Sequence, residues 1–181
     1  MIPAHSATEL LQQLNRIPSV NPDGAPGQNA TGEAAMARAV GSFLEHCGAA
    51  VSYEEILPER PNVIGRFPGG SGKPGLLFAP HTDTVSVKGM TIDPFGAEIV
   101  DGRIYGRGAS DTKGTMAAML WAMFELKEQI PGLRAAVTFV GLMGEEAGQP
   151  GSKHFAEAHA DEFDFAVVGE PTNLETVYAH K

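Results

Sequence analysis

The sequence predicts an α/β fold with three layers, helix on sheet on helix, around a central mixed and mostly parallel sheet. Two observations predict it. Short β-rich runs alternate with helical stretches along the chain. The run Ala135-Ala136-Val137-Thr138-Phe139-Val140 is almost continuously apolar, as suits a central strand covered on both faces. A third feature agrees with them. Clusters of acidic and imidazole residues fall at the carboxyl ends of predicted strands, where open α/β sheets place their sites.

The elements follow in order. Ser6-Ala7-Thr8-Glu9 reads as a capping box opening a helix. Leu10, Leu11 and Leu14 form its apolar stripe, and Ile17-Pro18 stops it. Asn21 to Asn29 is rich in Pro, Gly and Asn and is expected to be a surface loop. A second helix runs from about Thr31 to Cys47, with Met36, Val40, Phe43 and Leu44 on one face and Gly48 placed to end it. Strands are expected over Ala50–Ile56, Asn62–Phe67 and Gly75–Ala79, bounded by Pro or Gly. In the loop Pro68–Pro74, Gly72-Lys73 lacks the first glycine and the Ser or Thr of a phosphate-binding loop, because Phe67 and Pro74 stand there. A short strand includes Ile104-Tyr105. Thr112–Gln129 is a long helix, apolar on most sides and so expected to be well buried. Arg134–Met143 is the central strand, Gly151–Ala160 a shorter helix and Phe165–Val168 a further buried strand. Val177-Tyr178-Ala179 begins another.

Length and composition narrow the function. A chain of 181 residues, 43% apolar and 19% charged, is long enough for one domain with a real core. No stretch approaches the roughly 18 apolar residues of a membrane span. Met1–Ser19 has no basic region ahead of an apolar run, so no signal peptide is read there and a cytoplasmic location is expected. Thirteen basic and 22 acidic side chains give a formal charge of −9, which argues against a nucleic-acid partner. The single cysteine, Cys47, excludes an internal disulfide and reads as a packed residue.

Four clusters carry the chemistry. In His81-Thr82-Asp83, one imidazole nitrogen can bind a metal while Asp83 fixes the other; an unrelated loop pair is the plain alternative. In Gly106-Arg107-Gly108-Ala109-Ser110-Asp111-Thr112-Lys113-Gly114, Asp111 lies at the mouth of the buried helix, either as a metal ligand or as its N-cap. In Gly144-Glu145-Glu146, adjacent carboxylates repel unless a cation or proton intervenes. One could ligate while the other faces a water, or both are simply solvated. Glu170, in Gly169-Glu170-Pro171-Thr172, says little alone. Together, these hard nitrogen and oxygen donors suit zinc, manganese or cobalt in a hydrolytic role.

These four motifs, in this order and spacing, resemble the zinc aminoacylases and exopeptidases typified by acetylornithine deacetylase, succinyl-diaminopimelate desuccinylase and glutamate carboxypeptidase. The resemblance spans essentially the whole chain. It implies a zinc-peptidase-like catalytic domain with two zinc ions. His81 and Glu170 would ligate one zinc, Asp111 would bridge both, and Glu146 would ligate the second. Asp83 would hold His81, and Glu145 would be the general base and acid. A cis peptide bond is implied at Asp111-Thr112. The substrate would be an N-acyl amino acid or small peptide with a free carboxylate.

Members of that family are longer. The resemblance therefore implies that residues 1–181 are the N-terminal portion of the catalytic domain, incomplete at its C-terminal side. It further implies a lid domain, through which the full-length protein would form a homodimer, and a late histidine completing the second zinc site, both expected to lie outside residues 1–181; His180 is not assigned that role. An open sheet edge and self-association of this chain are expected. His5, His46, His154 and His159 match no motif and read as surface or helix-packing residues. Two other readings stand beside the hydrolase: a truncated or degenerate relative that binds metal or a partner without turnover, and an unrelated α/β binding module.

Overall fold

The computed structural model describes residues 4–24, 31–69, 75–173 and 175. Parts of the predicted loops over 21–29 and 68–74, the strand start at 177–179 and His180 lie outside the described residues.

Helix α1 (Ala7–Asn15) starts where the capping box puts it. Ser6 Oγ accepts the Glu9 N–H at 3.1 Å, and the Glu9 carboxylate accepts the His5 N–H at 2.9 Å. Helix α2 (Ala34–His46) begins three residues later than expected from Thr31. Gly32 turns the chain at φ +62°, and Glu33 is committed to a buried ion pair with Arg60.

Strands β1 (Ala50–Leu57) and β2 (Arg60–Arg66) form an antiparallel hairpin. Strand β3 (Gly75–Pro80) comes next, then a small separate hairpin of β4 (Glu98–Val100) and β5 (Arg103–Tyr105). Strand β4 is not expected from sequence: its three residues are too few to show a pattern, and all are exposed. The Asp101-Gly102 pair between the two strands, at φ +49° and +74°, is the usable signal. Helix α3 (Lys113–Leu126), strand β6 (Ala136–Gly141), helix α4 (Pro150–His159) and strand β7 (Phe165–Gly169) complete the described elements.

The main sheet runs β1-β2-β6-β3-β7. β2 is antiparallel to β6, with Val63 opposite Gly141, while β3 lies parallel to both β6 and β7. The sheet is thus mixed: antiparallel at its β1–β2 end and parallel where β6, β3 and β7 meet. Alternate residues of the strands feed opposite cores. Val63, Val137, Phe139 and Phe78 pack under α1, α2 and α3, against Leu10, Leu14, Met36, Val40, Met116 and Leu120. Ile64, Leu77, Ala79 and Val140 pack on the other face against Phe155 of α4. Helices therefore cover both faces, as predicted.

Strand β6 is buried between β2 and β3, as its apolar run predicts. Strand β7 is not buried. Phe165 is 66% and Val168 61% exposed, because β7 is the last strand of the sheet and no described helix covers it. Its apolar run resembles that of β6, so composition alone does not separate a central strand from an edge. Cys47 is packed at the end of α2, where burial pushes its thiol up to about 11 against the opposing charge of Lys127. No helix among the described residues is long and apolar enough to cross a membrane.

Candidate metal centre

Strands β6, β3 and β7 are parallel neighbours, so their carboxyl ends open on the same edge of the sheet. His81 follows β3 directly, Glu145 and Glu146 follow β6, and Glu170 follows β7. Asp111 reaches the same edge from the loop before α3.

His81 is 2% exposed. Its segment is held to the chain after β6: the Leu142 N–H donates to Pro80 O at 3.0 Å and the Thr82 N–H to Leu142 O at 2.8 Å. Imidazole Nδ1 lies 3.1 Å from the carbonyl oxygen of Asp83 and 3.3 Å from its carboxylate Oδ1. Nε2 is 3.0 Å from Asp111 Oδ1. Burial works against the charged ring. The Asp83 carboxylate, with Asp111 and Glu170, outweighs it and holds His81 up at about 9. Asp83 is 1% exposed, and burial works against its charge too. Its bonds to His81, Asn21 and the Glu146 N–H nevertheless hold its carboxyl below the usual range.

The loop after β6 turns through Gly144, at φ +74°, where an added Cβ would also press on Pro150. Asp83 anchors the two residues after this turn: Oδ1 accepts the Glu145 N–H and Oδ2 the Glu146 N–H, each at 3.0 Å. Asn62, fully buried on β2, clamps both ends of the loop. Its Oδ1 accepts the Met143 N–H and its Nδ2 donates to Gly151 O, both at 3.0 Å. The Glu145 and Glu146 side chains are half-buried, and Gln149 donates to Glu145 Oε1 at 3.0 Å. Burial, then Asp111, pushes the Glu146 carboxyl up, against the pull of His81, with Asp83 and Glu145 adding to the rise.

Asp111 precedes a cis peptide bond to Thr112, as the sequence resemblance implies. Thr112, not Asp111, occupies the N-cap of α3, so the Asp111 carboxylate is left for the site. Thr112 Oγ1 donates to Gly169 O at 2.6 Å, which fastens the start of α3 to the end of β7. Half-buried Glu170 follows Gly169. Burial, together with Asp111, Glu145 and Asp83, pushes its carboxyl up while His81 opposes.

Two sets of ligand atoms converge: His81 with Glu145 and Glu146, and His81 with Asp111 and Glu170, each set within 4.8 Å. All six residues singled out in the sequence thus meet at one place, with Asp83 behind His81. The upward shifts of Glu146 and Glu170 come first from burial and then from the neighbouring carboxylates, whose repulsion a bound cation relieves. With one imidazole, several carboxylates and no cysteine, the donors present fit zinc or another hard-to-borderline divalent metal.

Sequence reasoning misses Asn21, Arg60 and Asn62, which support this site. Asn21 falls in the predicted surface loop, yet it is 1% exposed. The usable signal lies in its neighbours: Ser19 and Val20 precede it in a stretch able to pair as a strand, and Val20 bridges Thr84.

The chain is similar to known proteins over nearly its whole length. The family model described as peptidase family M20/M25/M40 matches residues 77–180. A succinyl-diaminopimelate desuccinylase of Methylocella silvestris is 35% identical over 96% of this chain and 45% of its own length. An acetylornithine deacetylase of Erwinia tasmaniensis is 32% identical, over 96% of this chain and again 45% of its own. The chain thus spans about half the length of these relatives. Among solved structures, an M20 family metallo-carboxypeptidase from Sulfolobus solfataricus superposes with a TM-score of 0.76 at 25% identity, covering 91% of this chain and 37% of its own. Human carnosine dipeptidase 1 shares the fold, with a TM-score of 0.75 at 24% identity over 90% of this chain and 38% of its own.

Proposed function

The chain belongs to the M20/M25/M40 peptidase family, and from that premise we propose that it is the N-terminal portion of the catalytic domain of a metal-dependent amidohydrolase. The reaction is hydrolysis of the amide bond of an N-acyl amino acid or small peptide. The desuccinylase and deacetylase names of the relatives support this substrate class. The observation that carries the reading is the position of His81 between two groups of carboxylates.

In this reading His81 and Glu170 would hold one zinc and Glu146 a second, with Asp111 available to both. Bound zinc would polarise the scissile carbonyl and lower the pKa of water. The chain's own residues do the rest. Asp83 keeps His81 Nδ1 occupied, so that Nε2 faces the site. Glu145 is held through its backbone N–H by Asp83 and through its carboxylate by Gln149. It takes a proton from water and delivers it to the leaving amine. A substrate with a free carboxylate and a full-length homodimer belong to the same proposal.

A calorimetric zinc titration of the 181-residue chain beside His81→Ala and Glu146→Ala tests it. Zinc binding that weakens in both variants is expected. Binding by the parent chain that neither substitution alters would sink the assignment.

A further inference from the structure

Asn21 lies outside the set of metal-facing residues but is bonded to the residue behind them. Residues 19–21 run alongside 83–85 through a parallel bridge of Val20 to Thr84. The Thr84 N–H donates to Ser19 O at 3.0 Å, and the Asn21 N–H to Thr84 O at 2.9 Å. This pairing brings the Asn21 side chain to Asp83, where Nδ2 donates to Oδ2 at 2.6 Å in a fully buried contact.

The amide has only one workable orientation. Asn21 Oδ1 accepts from Arg60 Nη2 at 3.2 Å, from the Asp23 N–H at 2.9 Å and from the Gly24 N–H at 3.4 Å. All three partners are donors, so a flipped amide would set N–H against N–H there and oxygen against oxygen at Asp83. Arg60 is itself immobilised: Nε and Nη2 each donate to the buried Glu33 carboxylate at 2.7 Å, and Nη1 pairs with Asp23. Glu33 is 0% and Arg60 7% exposed. A rigid chain therefore runs Glu33–Arg60–Asn21–Asp83 and ends on His81 and on the Glu145 and Glu146 N–H groups.

We propose that Asn21, with its amide orientation set by Arg60, is a positioning residue for the metal centre, holding the Asp83 carboxylate where it can orient His81 and the Glu145-Glu146 loop together. The proposal rests on the reading of His81 and Glu146 as metal ligands. A carboxylate serving both a histidine and two backbone N–H groups must keep both oxygens in place. Asn21 supplies the side-chain donor that pins the Oδ2 side.

Asn21→Asp is the selective probe. It keeps the oxygen that faces Arg60 and the turn, and sets a carboxylate oxygen in place of the donor that faces Asp83, which adds a like charge there, so Asn21→Ser, which adds none, is measured beside it. Hydrogen exchange at the Glu145 and Glu146 amides is measured in the metal-free 181-residue chain, with zinc affinity by calorimetry and the unfolding midpoint alongside. Exchange at those two amides should rise at least about tenfold with the β6 amides unchanged, and zinc binding should weaken about ten- to hundredfold. Should Asn21→Asp not fold, Asn21→Ser carries the same comparison, because its hydroxyl still serves the turn but falls short of Asp83. Unchanged exchange at Glu145 and Glu146, or a uniform rise across β6, would overturn the proposal. So would a local rise that leaves zinc affinity at the parent value. A parent chain that binds no zinc counts against the metal reading instead, and the exchange comparison still decides whether Asn21 holds Asp83.

Discussion

Asp83 Oδ2 accepts the backbone N–H of Glu146 at 3.0 Å, so the residue behind His81 also sets the position of a carboxylate from a different strand end. Its Oδ1 does the same for the Glu145 N–H. Two loops of the site therefore share one buried anion. Asp83→Ala strips the acceptor from both amides and from Asn21 at once. Each buried donor left unpaired costs about 1–3 kcal/mol. Urea unfolding should show a loss of at least about 2 kcal/mol, and zinc affinity should fall about ten- to hundredfold. A variant with parental stability would show that water replaces the carboxylate without cost.

Glu145 and Glu146 are adjacent, and the proposed mechanism gives them different work. Glu145→Gln should leave zinc affinity near the parent value and cut turnover of an N-acyl amino acid about 10²–10⁴-fold, the usual share of a general base. Glu146→Gln should weaken zinc first. Calorimetry and a turnover assay on the same two variants, made in whichever form of the protein turns over, separate the roles. Equal loss of zinc in both would contradict the division.

The Arg60–Glu33 pair is buried, with Glu33 at 0% exposure. Arg60→Met leaves that carboxylate without its cation, and breaking such a pair costs about 3–5 kcal/mol. The double variant Arg60→Met with Glu33→Met should recover much of the loss, since no buried charge then remains. Urea denaturation of the three proteins checks it, and a double variant as weak as the single would point to Asp23 or Asn21 as the damaged partner.

His159 bridges α4 to β1. Its Nε2 lies 2.8 Å from Glu54 and its Nδ1 2.7 Å from Glu162. Partial burial works against its charge, but these two carboxylates raise its pKa overall. A raised histidine contributes stability that is fully present below its ordinary value near 6.5 and lost as pH rises through the folded value. Glu162 is depressed: burial opposes this, while His159 and Arg66 outweigh it. Its contribution is present above its ordinary value near 4.5 and lost as pH falls through the folded value. Both contributions are complete between those two ordinary values. The contribution of His159 to the thermal midpoint should therefore decline on the alkaline side of that window, and His159→Gln should remove that part of the pH dependence. An unchanged profile in the variant would assign the slope to other groups.

Strand β7 exposes Phe165, Val167 and Val168, at 66%, 45% and 61%. It pairs on one side with β3, and among the described residues nothing pairs its other edge. Exposed apolar residues along an open strand template association with another chain. Sedimentation of the 181-residue chain should show self-association that falls on Phe165→Lys with Val167→Lys. A monodisperse parent monomer would refute this.

What the amino-acid sequence determined by itself is local. The Ser6–Glu9 cap, the helical stripes of α1 and α2, the apolar run of β6 and the helix end at Gly48 depend on neighbours a few residues away, and these can be read in order along the chain. The candidate ligands were legible for the same reason: their motifs sit at strand ends, whatever the strand order. Only the tertiary structure decided that those ends meet. His81, Glu146 and Glu170 converge because β6, β3 and β7 are parallel neighbours, a relation set by long-range closure of the sheet and not by any local pattern. The same holds for burial. Asn21 lies in a run of turn-forming residues yet is enclosed, because the neighbouring Val20 bridges Thr84 and brings residues 19–21 beside 83–85. Phe165 to Val168 is as apolar as a core strand yet stands exposed, because β7 is last in the sheet. Periodicity shows which side chains share a face; only packing decides whether another layer covers that face.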